Sequence, residues 1–424
     1  MSSKNMSAMG EENKKTSALV PRLRFPEFRE AEEWQLEPLG KLAKRRAVKN
    51  VGVEHTRVLT NSAEFGVLDQ REYFERDIAN QGNLEGYYIV EKGDYVYNPR
   101  ISASAPVGPI SKNNVGTGVM SPLYTVFRFD SSNNDFFAHY FKSTHWHQYM
   151  RQASSIGARH DRMSITNDDF MRLPLPVSQP EEQHKIADCL ASLDDLITAE
   201  TRKLDALKTH KKGLMQHLFP REGEAVPRLR FPEFRDAGEW QGVSLSSQVD
   251  LISGLHLAPD EYADTGEIPY FTGPSDFSNE LTSVSKWTVR GANAGRAGDI
   301  LITVKGNGVG ELLYQLLDEV AIGRQLMAVR PRKSYGRFVF HFLATQRQRL
   351  IALASGNLIP GLSRGDILGL EVFVPKHDEQ QKIADCLSSH DDLITAQTQK
   401  IDALKTHKKG LMQQLFPVLD EVFA

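Results

Sequence analysis

The sequence has few cysteines, no long apolar run and no large excess of one charge. Its 424 residues include two cysteines, Cys189 and Cys386, too few for the disulfide framework of a secreted domain. No stretch approaches the roughly 20 apolar residues that a membrane helix needs, and the polar N-terminus lacks the apolar core of a signal peptide. We expect a disordered lead at residues 1–19 and a cytoplasmic protein with no membrane partner.

Catalytic motifs are also lacking. There is no Walker-type phosphate loop, and the glycines at 306–310 lack the dinucleotide-binding spacing. The strings at 98–100 and 121–124 resemble the Pro-Pro-aromatic motif of amino-methyltransferases, but each lacks a defining residue. No cysteine or suitable acid completes a zinc set with the clustered histidines, which we expect at the surface or facing DNA: His139, His145, His147 and His160. We therefore predict no catalytic residue, metal or cofactor in this chain.

The net charge of −3 hides a strong local imbalance. Residues 250–285 hold seven acidic residues and no lysine or arginine, whereas residues 286–364 hold twelve lysines and arginines against four acids. A basic segment of this kind is typical of nucleic-acid binding. An ordinary solvated surface explains the same charge pattern, so charge alone leaves both interpretations open.

The most informative positive feature is an internal repeat. Residues 20–35 and 226–241 differ at two of sixteen positions, and residues 186–220 and 383–417 differ at six of thirty-five. A repeat of about 200 residues is far longer than a solenoid or propeller unit, so we interpret it as a duplicated domain. Most of the sequence between the matching blocks differs, which indicates a constant frame that presents two different binding surfaces.

The variable segments read as one α/β (α+β) fold in two copies, at residues 20–177 and 221–375. The offset between the copies drifts from 206 at Val20 and Val226, through 201 at Phe137 and Phe338, to 197 downstream, as small loop deletions would cause. Short apolar runs bounded by glycine, asparagine and proline indicate strands, and the stretches 136–153 and 337–353 are typical of helices.

The downstream blocks predict two long helices, at residues 178–220 and 376–417, with a C-terminal tail at 418–424. Their seven-residue apolar period indicates a coiled-coil seam, and each helix would need the other to cover its apolar stripe. Glu200 with Gln397, and Lys211 with Lys408, are polar seam positions that either fix the register or mark fraying. The apolar seam positions are Ile186, Leu190, Leu193, Ile197, Leu204, Leu207, Leu214, Ile383, Leu387, Ile394, Ile401, Leu404 and Leu411.

The variable segments also carry polar and basic side chains on predicted loops. Arginine pairs with guanine edges and asparagine or glutamine with adenine edges, while other cations neutralise phosphates. Arg100 and Lys305 are equivalent by an offset of 205, so a basic group recurs where the surroundings have changed. The predicted DNA-binding residues are Asn98, Arg100, Lys112, Arg151, Gln152, Arg159, Arg162, Lys305, Asn307, Arg324, Gln325, Arg347, Arg349, Asn357 and Arg364.

Four motifs occur in the same order in both repeats. Together they make the chain resemble the specificity (S) subunits of type I restriction–modification systems. They are the entry block ending in Trp34 or Trp240, and the Gly-Asp-hydrophobic strand at 93–95 and 298–300. The third is the run Pro-x(3–5)-EQ-x-KIADCL, and the last is the helix end HKKGLMQ-x-LFP. The resemblance covers nearly the whole chain from about residue 20.

The resemblance implies a target recognition domain in each variable segment, which reads one half of a bipartite, asymmetric target in double-stranded DNA. The helices would form an antiparallel two-helix coiled coil that sets the spacer, in a pseudo-two-fold symmetric chain. Two methyltransferase (M) subunits would dock on it, followed by restriction and motor (R) subunits. S-adenosylmethionine, ATP and Mg²⁺ would reside on those partners, so this chain would be a non-catalytic subunit. An alternative is a coiled-coil scaffold whose α/β modules bind proteins.

Overall fold

A computed structural model describes residues 19–71, 81–156, 161–289, 293–356 and 361–419. The chain divides into two compact units. Unit 1 consists of Met1–Ala199 together with Ile401–Ala424, and unit 2 consists of Glu200–Lys400. Within the described part of the chain, every helix is too short or too polar to cross a membrane.

Unit 1 begins with small strands and continues into short helices. Its elements are β1 (Gln35–Pro38), α1 (Leu39–Leu42), β2 (Ala43–Arg46), β3 (Leu59–Ser62), β4 (Gly66–Asp69), β5 (Tyr88–Val90), β6 (Tyr95–Tyr97), β7 (Ile110–Lys112), β8 (Gly118–Met120), β9 (Thr125–Phe129), α2 (Asp135–Tyr140), α3 (His147–Ala153), β10 (Ser155–Ile156), β11 (Met163–Ser164), α4 (Asn167–Met171), β12 (Pro174–Val177) and the first half of α5 (Pro180–Leu218).

Unit 2 has the same kinds of element. They are β13 (Gln241–Ser244), β14 (Val249–Ser253), β15 (Ile268–Phe271), β16 (Trp287–Thr288), β17 (Ala294–Arg296), β18 (Ile300–Thr303), β19 (Leu312–Tyr314), β20 (Glu319–Ile322), β21 (Leu326–Pro331), α6 (Gly336–Thr345), α7 (Arg347–Gly356), α8 (Arg364–Leu368), β22 (Glu371–Val374) and the first half of α9 (His377–Leu415).

The central sheets have the same strand order in both units. Unit 1 has the antiparallel order β2-β9-β6-β7, and unit 2 has β14-β21-β18-β19. Unit 2 adds a second four-stranded sheet, β16-β15-β20-β17, in which β15 and β20 are parallel. The prediction of an α/β chain with several short strands is confirmed.

The predicted helix at 136–153 is two helices. α2 ends at Tyr140 and α3 begins at His147. Between them the Trp146 indole, 1% exposed, donates to the carbonyl oxygens of Phe141 at 3.2 Å and Ser143 at 3.0 Å. These carbonyls are thus satisfied by a buried side chain and need no continuing helix. The stretch 337–353 is likewise divided, at Gln346, between α6 and α7.

The entry block attaches to the start of a long helix through a buried ion pair. In unit 1, Arg24 donates to both carboxylate oxygens of Glu182 at 2.7 and 2.8 Å, and Trp34 Nε1 donates to the same carboxylate at 3.1 Å. In unit 2, Arg230 donates to both carboxylate oxygens of Glu379 at 2.7 Å, and Trp240 Nε1 donates to the same carboxylate at 3.3 Å. The repeated arginine, tryptophan and glutamate are therefore structural.

The Gly-Asp motif forms a tight turn in both units. Gly93 and Gly298 each have φ of 90°, a conformation that glycine adopts without steric cost. The following aspartate accepts a backbone N–H inside the turn, at 2.7 Å for Asp94 and 2.8 Å for Asp299. Asp299 is also held by both Arg330 Nε and Nη2. The motif therefore stabilises a turn of the central sheet.

The predicted seam residues lie away from solvent. Six are buried (Ile186, Leu190, Leu204, Ile383, Leu387 and Ile401), and seven are half-buried (Leu193, Ile197, Leu207, Leu214, Ile394, Leu404 and Leu411). In unit 1, Ile186 and Leu190 share a core with Leu415 and Phe416. In unit 2, Leu218 and Phe219 share a core with Ile383 and Leu387.

The polar seam residues make specific contacts. Lys408 pairs with Asp194 in unit 1, and Lys211 pairs with Asp391 in unit 2. Glu200 accepts a hydrogen bond from Gln397 Nε2 at 2.6 Å. Both helices continue through the lysines. This observation contradicts the fraying interpretation and favours a role in fixing the register.

Two buried histidines occupy equivalent places. Phe136 packs on Trp34 with ring centroids 5.6 Å apart, as Phe338 packs on Trp240 at 6.0 Å, so the local offset is 202 and not 201. By this offset His139 corresponds to His341. They are 6% and 1% exposed, and burial lowers their pKa values to about 4 and about 3. The expectation of a surface position is therefore wrong for His139.

Candidate nucleic-acid interface

In unit 1, several predicted DNA-binding residues meet at one edge of the central sheet. β6 and β9 are antiparallel, so the loop after Tyr97 lies beside the loop before Thr125. Asn98 and Arg100 follow β6, and together with Arg162 they line a groove of about 600 Å³. Its other polar walls include Thr60, Asn61, Glu64, Gln70, Tyr87, Ser102, Ser121 and Tyr124.

Two arginines that line this groove lie on paired backbone segments. Arg100 and Arg162 form an isolated antiparallel bridge, which is fixed by hydrogen bonds from Met163 N to Pro99 O at 2.9 Å and from Ile101 N to Asp161 O at 3.0 Å. Arg100 is exposed. Among the described residues, Arg162 Nε has no hydrogen-bond partner and lies 3.7 Å from Asp161 Oδ2. The exposed Arg100 guanidinium is therefore the group of this pair that a ligand in the groove can reach.

The other predicted residues of unit 1 differ in role. Asn98 donates to Asn61 O at 2.9 Å and accepts from Arg100 N at 3.1 Å, so its amide shapes the loop. Lys112 is paired with Asp135 at 2.6 Å and lines a separate hollow of about 520 Å³. Arg151 and Gln152 are exposed on α3, outside the groove. Arg159 lies outside the described residues.

In unit 2 the corresponding edge gathers a second basic set. Lys305 follows β18, as Arg100 follows β6, and Leu362 N donates to Val304 O at 2.8 Å. Arg364 donates to Ser253 Oγ at 3.1 Å, at the end of β14. The exposed residues at this edge are Lys305, Asn307, Arg324, Gln325 and Arg364.

The remaining residues of unit 2 lie apart from this edge or are paired. Arg347 forms an ion pair with Glu311. Arg349 lines a different hollow, of about 360 Å³, beside Phe219 and Pro220. Asn357 lies outside the described residues.

The structure adds polar and aromatic residues that the sequence did not single out. Gln70, Tyr87 and Tyr124 line the groove of unit 1, and His256, Tyr262 and Thr272 border a recess in unit 2. Their sequence surroundings contain no motif. Tyr87 and Tyr124 begin short apolar runs, which is the one signal that would have pointed to them, and the other four residues carry no such signal.

The two edges present guanidinium, ammonium, amide and hydroxyl groups. Within the described ranges, no group of three or more histidine, cysteine or acidic side chains is placed to hold a metal ion. Arginine and amide side chains at the mouth of an open groove are suited to base edges and phosphates.

Known proteins with similar sequences are specificity subunits. A putative type I restriction enzyme MjaX specificity subunit from Methanocaldococcus jannaschii is 26% identical over 263 residues, covering 60% of this chain and 61% of the relative. The EcoR124I/EcoR124II specificity subunit of Escherichia coli is 22% identical over 258 residues, covering 57% of this chain and 60% of the relative. The chain thus matches about three fifths of the length of these relatives.

Solved structures share the fold. The type I restriction-modification S subunit from M. genitalium has a TM-score of 0.59 at 14% identity, covering 94% of this chain and 99% of that one. A chain from a type I R-M system, studied for complex assembly and conformational transition, has a TM-score of 0.56 at 19% identity, covering 91% and 97%. The family of type I restriction modification DNA specificity domains matches residues 69–209 and 237–406, and the chain belongs to this family.

Proposed function

We propose that this chain reads DNA sequence for a type I restriction–modification complex, with each unit reading one half of a bipartite, asymmetric target. One observation carries the proposal. In both units basic and amide side chains gather at the same sheet edge, but their identities and exposure differ: exposed Arg100 with half-buried Asn98 in unit 1, and exposed Lys305, Arg324 and Gln325 in unit 2. The same frame would therefore present two different surfaces to two DNA sequences.

In this proposal the chemistry belongs to partner subunits. Two methyltransferase subunits carrying S-adenosylmethionine would dock on the chain, and restriction and motor subunits using ATP and Mg²⁺ would join for cleavage. The long helices would form the antiparallel coiled coil that sets the spacer between the half-sites. DNA titrations at several salt concentrations would distinguish this function from that of a protein-binding scaffold. A DNA-reading chain should show a steep fall of DNA affinity with salt, because phosphate contacts release counterions, and a scaffold should not.

Arg100→Ala, tested in complex with the methyltransferase partner, is expected to lower affinity for the target by roughly 5- to 150-fold, since a good bidentate base contact is worth about 1–3 kcal/mol. It should also relax the choice of base at one position of a single half-site. Methylation mapping and DNA titration would measure the two effects. Lys305→Ala should affect the other half-site.

Arg235→Ala is the charge-matched control, because Arg235 is exposed in the entry block and is not among the predicted DNA-binding residues. Its affinity and target should stay unchanged. A target that maps as one contiguous sequence, or equal losses for all three variants on every DNA sequence, would contradict the division of reading between the units.

Lengthening the long helices is expected to change the spacer and leave both half-sites intact. Seven residues inserted into each helix preserve the heptad phase and add about 10 Å, which corresponds to about three base pairs at 3.4 Å each. Mapping of methylated bases would show the new spacer. An unchanged spacer would rule out the helices as the element that sets it.

A further inference from the structure

Unit 2 contains a small aromatic recess at the basic sheet edge. It has a volume of about 170 Å³, and its walls include His256, Tyr262, Tyr270, Thr272, Arg324 and Gln325. Drug-sized ligands occupy pockets of about 300–1,000 Å³, so this recess accommodates a single ring system.

The recess is built from rigidly held groups. Tyr270 is 3% exposed, and its hydroxyl accepts a hydrogen bond from Leu257 N at 3.3 Å. The half-buried Tyr262 ring packs against it, with centroids 5.4 Å apart. Thr272 Oγ1 donates to Asp276 at 2.6 Å and accepts from Lys286 at 2.9 Å. Hydrogen bonds and ring packing therefore hold the inner wall of the recess in place.

Gly323 lies tightly against the wall of this recess. A Cβ at Gly323 would lie 3.1 Å from Thr272 Cα and 3.3 Å from the Tyr270 hydroxyl. A side chain at this position would thus push against the wall of the recess. The next two residues, Arg324 and Gln325, are exposed at the same site.

We propose that this recess receives one nucleobase rotated out of the DNA duplex; this inference rests on the proposed function. Unstacked bases are bound by stacking on aromatic side chains and by hydrogen bonds to their Watson–Crick edges. Tyr262 and His256 supply the aromatic rings. Arg324 and Gln325 supply donors and an acceptor, while Lys305 and Arg364 at the same edge neutralise the adjoining phosphates.

The test measures affinity of the complex, assembled with its methyltransferase partner, for duplexes mismatched at successive positions of the second half-site. A mismatch tightens binding at a rotated base, because the pairing free energy is already lost. We expect one position at which a mismatch tightens binding by roughly tenfold or more. Tyr262→Ala should abolish this tightening, and Tyr262→Phe should retain it.

Three further observations separate a base bound in the recess from a base rotated by the methyltransferase and from a bound small molecule. A base rotated by the methyltransferase would show tightening in both wild type and Tyr262→Ala. Leu316→Ser alters an exposed side chain beyond β19, at the opposite end of the sheet, and should leave the mismatch profile unchanged. Free adenosine and guanosine should not bind the recess in the absence of DNA.

Two outcomes would overturn the proposal. In the first, a wild-type complex methylates its bipartite target but shows no position whose mismatch effect depends on Tyr262; the proposed function then stands and the base-binding recess does not. In the second, a free nucleoside binds in a Tyr262-dependent manner without a mismatch effect, which assigns the recess to a small molecule. Failure of the wild type to recognise any bipartite target would instead reject the proposed function.

Discussion

Glu182→Gln is expected to lower the free energy of unfolding of unit 1 by about 3–5 kcal/mol, the usual effect of removing one partner of a buried ion pair. The Glu182 side chain is fully buried and that of Arg24 is 6% exposed. The hydrogen bond to Glu182 raises the pKa of Arg24, so the guanidinium stays charged. The variant would leave this charge buried without a counter-charge, and hydrogen exchange measured by mass spectrometry would report the loss of protection in unit 1 peptides.

The second repeat offers a matched variant. Glu379→Gln should produce the same loss in unit 2, because Arg230 and Trp240 surround it in the same way. Lys185→Ala is the control, since its ion pair with Glu27 at 3.3 Å is about half exposed, and such pairs contribute little. A Glu182→Gln protein as stable as Lys185→Ala would show that the buried pair is unimportant for stability.

Phe416→Ala is expected to destabilise unit 1 by about 3–5 kcal/mol, the range for truncating a buried phenylalanine. Phe416 is fully buried, and its ring lies 5.2 Å from Phe136 and 5.4 Å from Tyr140 between centroids. The cavity left by the ring would remain in a core that the rest of α2 cannot collapse to fill. Urea unfolding followed by hydrogen exchange would locate the effect.

Phe219→Ala is the matched variant for unit 2, where Phe219 packs on Phe338 at 5.2 Å. Leu393→Ala, 53% exposed on α9, should change stability by less than about 0.5 kcal/mol. Loss of protection in unit 2 alone after Phe416→Ala would contradict the assignment of Phe416 to the core of unit 1.

The sequence predicted the long helices well, because a sustained seven-residue period reports directly on burial. Every apolar seam position is buried or half-buried. The partners of the seam lysines, Asp194 and Asp391, could not be predicted. Neither aspartate occupies a seam position of the seven-residue repeat, and each lies far in sequence from the lysine with which it pairs. The alignment of the two repeats was also wrong by one residue near Phe137. The residues that correspond there, Phe137 and Val339, differ in type, so the sequence did not show that His139 and His341 are equivalent.

The candidate interface was predicted less completely. Residue type found the basic side chains at the sheet edge, including Arg100, Arg162 and Lys305. Residue type did not reveal that Lys112 forms an ion pair with Asp135, or that Arg347 forms one with Glu311. An acidic partner that is distant in sequence leaves no local pattern. The recess beside Arg324 was not predicted either, because its walls come from segments that are separate in the sequence.

The division of unit 1 between the two ends of the chain has a consequence for protein synthesis. Leu415 and Phe416 belong to the same buried core as Trp34 and Tyr95. After residues 1–199 have been synthesised, this core therefore still lacks Leu415 and Phe416. All of unit 2, in contrast, lies within Glu200–Lys400. Unit 1 is thus completed after unit 2, although most of its residues are translated before it, and a premature stop codon shortly before residue 415 would damage the core of unit 1.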